Sequence, residues 1–152
     1  MKHFYTFVVL VTIFCFGCQG SSLPGLVPAS GVVTLDGNPI DGATIVFVPR
    51  DFNTQRNAYA LTGASGSFRM TTLKDNDGVL PGTYIVTVTK HEKSGTIIVI
   101  PGEFDQETGA PLTFEPSVNR LPAVYENEAS TPLEITVPKG GTKTATFELT
   151  SK

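Results

Sequence analysis

Short β-branched runs, each closed by a Gly, Pro or Asp-Gly turn signal, follow one another from residue 30 to residue 149 and leave little room for a helix. Residues 30–35 (SGVVTL) come first, and Asp36-Gly37-Asn38-Pro39 and Asp41-Gly42 then mark turns. Gly and Asp tolerate positive φ there, and Pro presets its own φ. Residues 43–48 (ATIVFV) are apolar almost throughout, so both faces should be covered, and Pro49 closes the run. Residues 58–62 and 67–72 flank Gly63-Ala64-Ser65-Gly66, a short hairpin signal. In the second of these runs Phe68 and Met70 alternate with Ser67 and Arg69. Residues 83–90 (TYIVTVTK) put Tyr84, Val86 and Val88 on one face and Ile85, Thr87 and Thr89 on the other. Residues 96–100 (TIIVI) are a compact β-forming run. Residues 132–137 alternate Leu133, Ile135 and Val137 against Glu134 and Thr136, and residues 142–149 alternate Ala145, Phe147 and Leu149 against Thr144, Thr146 and Glu148. Seven or eight short strands with 15 Gly and 11 Pro between and around them predict an all-β fold, a single antiparallel β-sandwich of about seven strands.

The N-terminus has a different character. A short positive start, Met1-Lys2-His3, precedes an apolar run over residues 4–16, which is short for a membrane-spanning helix and the right size for a signal-peptide core. The run ends in Phe16-Gly17-Cys18-Gln19. A small residue before Cys resembles the lipobox of bacterial lipoproteins, although Phe16 and Cys15 depart from its usual upstream residues. The resemblance implies lipid attachment at Cys18, which would become the first mature residue. An ordinary signal peptide cleaved nearby is the alternative reading. The predicted organisation is a leader over residues 1–17, a flexible tether over residues 18–29 and a β-sandwich domain over residues 30–152. Gln19 through Gly25 is small, polar and Pro-containing, which suits a tether. The expected location is extracytoplasmic and membrane-anchored. Gln19 is not the Asp associated with inner-membrane retention, so the outer membrane is expected where two membranes exist.

Charge and cysteine content restrict the mature part. With Lys2 lost from the 11 basic residues and all 14 acids kept, its net charge is about −4. Scattered basic residues in an acidic chain exclude a nucleic-acid partner, which needs a basic patch. Membrane contact is expected through the N-terminal lipid anchor rather than through electrostatics. The only cysteines are Cys15 and Cys18, so the domain must hold together by packing, without an internal disulfide. The missing Trp and Cys pair argue against an immunoglobulin domain.

Gly31-Val32-Val33-Thr34-Leu35-Asp36-Gly37-Asn38-Pro39-Ile40-Asp41-Gly42-Ala43 resembles the opening of carboxypeptidase regulatory-like domains, which have a transthyretin-like sandwich. Thr62-Gly63-Ala64-Ser65-Gly66-Ser67-Phe68 and Leu80-Pro81-Gly82-Thr83-Tyr84 are similar to their later segments, and Leu121-Pro122, Tyr125 and Thr131-Pro132-Leu133 resemble the closing segments of small bacterial lipoproteins of this type. The resemblance covers roughly residues 30–150. It implies an accessory, structural or interaction module, and it names no substrate.

Candidate chemistry is sparse. His91 is the only histidine beyond the leader and stands in Lys90-His91-Glu92-Lys93, which reads as a solvated strand end. One histidine and no free thiol leave no material for most zinc sites or for a Cys-His nucleophile pair. Asp75-Asn76-Asp77-Gly78 resembles the start of a calcium loop, but Val86 stands where an EF-hand needs Glu. A polar turn is the simpler expectation. Glu103, Asp105, Glu107 and Glu115 lie close together in sequence, the raw material for a shallow acidic site that could bind or hydrolyse a carbohydrate. Two connections attract attention: residues 49–57, with Arg50, Phe52 and Arg56, and the long Pro-bearing segment 101–130, whose 103–119 part is the candidate partner surface. The expected role is therefore a non-catalytic binding or structural module at the cell envelope, with no enzyme activity and no cofactor, meeting an envelope protein or polysaccharide. The alternatives are a carbohydrate-binding protein or hydrolase using the acidic segment, and a calcium-stabilised adhesion module.

Overall fold

The alternation read in the sequence becomes two four-stranded sheets that close over one core. In a computed structural model of the chain, residues 23–53 and 55–152 are described. Cys18, the leader and the first part of the tether lie outside the described residues. The strands are β1 (Ala29–Leu35), β2 (Asn38–Pro39), β3 (Thr44–Pro49), β4 (Ala58–Leu61), β5 (Ser67–Arg69), β6 (Gly82–Thr89), β7 (His91–Lys93), β8 (Ile98–Phe104), β9 (Pro111–Phe114), β10 (Ser117–Asn119), β11 (Glu134–Val137) and β12 (Thr142–Leu149). The only helical element among the described residues is a 3₁₀ turn at Ala123–Tyr125.

One sheet runs β11-β6-β3-β4, with every ladder antiparallel. The other has β1 at its centre. Strand β12 lies on one side of β1, and β2 and β5 share the other, β5 against Ser30–Val32 and β2 against Thr34–Leu35. One departure from the sequence reading occurs here. The β1/β12 ladder is parallel, which corrects the expectation of a wholly antiparallel fold. Parallel partners must be joined by a crossover, and these two lie at opposite ends of the domain. Residues 58–62 and 67–72 run antiparallel across the Gly63–Gly66 turn, exchanging backbone hydrogen bonds between Tyr59 and Thr71 at 2.9 and 2.8 Å and closing at Gly63 N–H to the Ser67 carbonyl at 2.9 Å, while β4 ladders with β3 and β5 with β1. The Gly63–Gly66 turn is as tight as its glycines suggest, with the Gly66 N–H donating to the Gly63 carbonyl at 2.7 Å. It carries the chain from one sheet to the other.

Local chemistry explains the turns and the close contacts. Asp36 and Gly37 both have positive φ, 48° and 80°, as a two-residue turn that matches strand twist requires. At Gly31 an extra residue in β12 brings the Ala145 carbonyl so near that a Cβ would lie 1.9 Å from its oxygen. No residue with a side chain fits there without moving β12.

The inward rows match the predicted periodicity. Tyr84, Val86 and Val88 are fully buried on β6, as are Ile45 and Phe47 on β3, while Ala145, Phe147 and Leu149 face inward from β12. Phe47, beside Tyr84 in one sheet, meets Phe68 and Phe147 of the other. Phe47 stands edge-on to Phe147 at 6.0 Å between centroids, and Phe68 stacks on Phe147 at 5.8 Å. Burial raises the Tyr84 phenol to about 12, and its hydroxyl donates to the Leu80 carbonyl at 2.6 Å.

The ordered fold begins earlier than the tether reading placed it. Val27 exchanges backbone hydrogen bonds with Val79 at 2.8 and 3.0 Å, and the Thr142 N–H donates to the Pro28 carbonyl at 2.8 Å. The tether drawn over residues 18–29 therefore ends before Val27, whose side chain packs against the core. Of the prolines expected to keep residues 101–130 out of regular structure, Pro101 lies in β8 at an irregular stretch of the β8/β9 ladder and Pro111 opens β9. Neither position requires an N–H for a regular ladder. The segment accordingly forms most of a β8/β9 hairpin, strand β10 and the 3₁₀ turn, with Leu121 and Tyr125 buried and Val124 exposed.

Phe147→Ala should cost about 3–5 kcal/mol, because it removes a fully packed ring from the contact between sheets. Thr146→Ala, one residue away and exposed on the opposite face, should cost under about 1 kcal/mol. Denaturant titration of both variants measures the difference, and equal small losses would contradict the register of β12.

Candidate functional site

The aspartates singled out in the sequence turn out to organise backbone. The Asp77 carboxylate accepts hydrogen bonds from the N–H groups of Thr72 at 2.7 Å, Leu73 at 3.0 Å and Lys74 at 2.9 Å. Asn76 takes φ of 59° to make the turn. Burial pulls the Asp77 carboxyl upward, but the hydrogen bonds from Thr72, Lys74 and Leu73 outweigh it and hold the group below its usual value. This is how a polar turn uses an aspartate. Its oxygens face N–H donors, and among the described residues no three His, Cys, Asp or Glu side chains are grouped to hold a metal ion.

Two of the four acids of segment 103–115 stand at opposite ends of the hairpin. Asp105 caps the β8/β9 turn, accepting from the Thr108 N–H at 2.7 Å and the Thr108 hydroxyl at 2.6 Å, and these bonds lower its pKa. Glu115 sits at the other end of the hairpin, where it accepts from the Gly95 N–H at 3.0 Å and pairs with Lys93 at 3.3 Å. Phe104 pairs with Pro111 near the turn and Ile98 with Phe114 near the base. Asp105 and Glu115 are therefore separated by most of the length of β8, on the order of 15–20 Å at strand rise. Two carboxylates that act on one glycosidic bond stand about 5–10 Å apart. His91 is exposed on β7 opposite Asn119.

The hairpin does bring together apolar side chains. Strands β8 and β9 form a two-stranded sheet of their own. Ile98 and Val99 are neighbours on opposite faces, yet they are 47% and 53% exposed, so neither face is covered. Phe104 and Phe114 are exposed as well, and so is Ile97 at 69%. The hairpin's base is tied to the body. Strand β7 follows β6 and pairs with β10, the Arg120 N–H donates to the Lys90 carbonyl at 2.8 Å, and Glu92 bridges Lys90 and Arg120 at 3.1 Å each. The Lys90 ammonium foremost, and then Arg120, keep the Glu92 carboxyl below its usual pKa.

The described residues also form an open groove of about 1030 Å³ where β4 meets the β5-β1-β12 sheet. Tyr59, Leu61 and Val32 supply its exposed apolar surface, and Arg69, Lys143 and Asp75 its charges. The sequence reading missed this groove, although a signal was present. In β4 (AYAL) the small Ala58 and Ala60 point inward and the large Tyr59 and Leu61 point out, the reverse of the order that a core would favour.

No protein-family model, curated protein or solved structure matches the chain.

The Asp77 cap has a pH signature. A carboxyl whose folded pKa is depressed stabilises the fold at pH values above its unfolded pKa, and the contribution disappears as pH falls through the folded value. At pH 6 Asp77→Ala should be less stable by about 1–2 kcal/mol, by analogy with lost helix caps. Asp77→Asn should also be weaker than wild type at pH 6, with the gap closing below about pH 4. Urea titrations at pH 6 and pH 3 compare the two, and a gap that persisted unchanged at pH 3 would remove the carboxylate's charge from the explanation.

Proposed function

We propose that the chain is a lipid-anchored, extracytoplasmic β-sandwich module, of the transthyretin-like and carboxypeptidase regulatory-like type, with a non-catalytic binding or structural role at the cell envelope. Cys18 is the attachment point, and the outer membrane is the expected destination in a two-membrane cell. Two four-stranded sheets meeting through four aromatic rings support the sandwich reading. The leader-like run and Gly17-Cys18 support the anchor.

The observation that carries the binding role is the β8/β9 hairpin. It exposes Ile97, Ile98, Val99, Phe104 and Phe114 from a segment otherwise rich in acids and turn residues. Contiguous exposed apolar surface on a folded domain marks a contact surface. Two carboxylates of the same segment, Asp105 and Glu115, serve its turn and base, which favours a contact role for the hairpin.

Mass spectrometry of the mature N-terminus tests the anchor. The expected product begins at Cys18 and carries the added mass of a diacylglycerol thioether and its acyl chain. A free, unmodified N-terminus downstream of Cys18 would refute it. Cys18→Ser should shift the protein from membrane to soluble fraction without changing its melting temperature, because the packed core begins beyond that residue. The binding role fails if Glu103→Gln abolishes a measured hydrolytic activity while thermal stability holds.

A further inference from the structure

Nine of the twelve large apolar side chains exposed among the described residues fall in two places. Six belong to the β8/β9 hairpin and its base: Ile97, Ile98, Val99, Phe104, Phe114 and Val118. Three, Val32, Tyr59 and Leu61, line the groove. The two places also differ in charge. Residues 94–116 contain Glu103, Asp105, Glu107 and Glu115 and no Lys or Arg, so this segment carries −4 in a chain whose net charge is −3. The groove carries Arg69 and Lys143 against Asp75. Among the described residues, Arg69 and Lys143 make no ion pair, and neither do Glu103 and Glu107.

From this complementarity we infer that the chain binds a second copy of itself, the acidic apolar hairpin of one copy seated in the basic-rimmed groove of the next. A two-stranded hairpin is marginal in water when nothing covers it. Seating it against Val32, Tyr59 and Leu61 covers apolar surface on both partners at once. Hairpin-to-hairpin pairing is disfavoured, since it would set four acids against four with no base between them. The groove-and-hairpin contact joins unlike surfaces, so it propagates head to tail until a ring closes. The inference deepens the binding role proposed above and rests on it, but it does not depend on the lipid at Cys18.

Two full-length variants in detergent, carrying different affinity tags, test it. Phe104→Ser/Phe114→Ser spoils the hairpin and keeps the groove; Tyr59→Ser/Leu61→Ser spoils the groove and keeps the hairpin. All four residues are exposed, and thermal melting of each variant checks that the core is intact. Wild type should sediment above the monomer mass, and each variant alone as a monomer. An equimolar mixture should form a one-to-one pair that co-purifies on either tag. Arg69→Glu/Lys143→Glu is a second groove variant should the first fail to fold, and it should weaken self-association at least tenfold. Wild type that stays monomeric would overturn the inference while leaving the binding role open to another partner. Variants that self-associate like wild type, or a mixture that does not pair, would overturn it as well.

Discussion

The contact of Phe47, backed by Tyr84, with Phe68 and Phe147 holds the domain together. Two rings come from each sheet, so this cluster is where the β11-β6-β3-β4 sheet and the β1-centred sheet become one body. No disulfide links the described residues, so packing must supply what a covalent bridge would otherwise add. Edge-to-face and stacked rings suit this task, because they bury large areas and add a directional contribution. The wall beneath them is built to match. Gly31 pairs with Phe68 on one side and Ala145 on the other, so the strand next to the rings carries little or no side chain at that level.

Strand β1 depends on that arrangement and extends it. It hydrogen-bonds on both edges, with the last strand on one side and with β2 and β5 on the other. The two ends of the domain are thereby locked together. Asp36 adds to the lock by accepting the Ser151 N–H at 3.1 Å, and Tyr125 adds to it through the Thr150 N–H at 3.0 Å. A leader or lipid preceding this region would attach close to a secured end, which is a sensible place for an anchor on a domain with no other covalent restraint.

The same framework carries the hairpin and the groove. The hairpin grows from β7, the direct continuation of the buried β6, and its base is held by the β7/β10 ladder and by Glu92. Beyond the base, the ladder between β8 and β9 is irregular and the apolar side chains point to both sides without cover. Two of the acids singled out in the sequence cap turns: Asp77 the 72–77 turn, Asp105 the hairpin turn. A carboxylate facing several N–H groups is well placed to set a backbone turn and poorly placed to attack a substrate.

Class and facing were legible in the residues. Period-two alternation identified the inward rows of β5, β6 and β12, and Asp36-Gly37 announced a turn whose φ values the structure bears out, because both depend on neighbours in sequence. Cys18 lies outside the described residues, so its reading rests only on the residues beside it. Pairing was not legible. Nothing local says that β1 lies parallel to β12, or that β4 and β5, five residues apart across a glycine turn, ladder with strands of different sheets. Those choices rest on contacts between distant segments, where the Phe68 ring finds Phe147 only once both sheets exist. The hairpin and the groove belong to the same class. Residues 96–100 and 58–61 are β-forming wherever they sit, and only the tertiary arrangement decided that the first run and the outward Tyr59 and Leu61 of the second would stay uncovered.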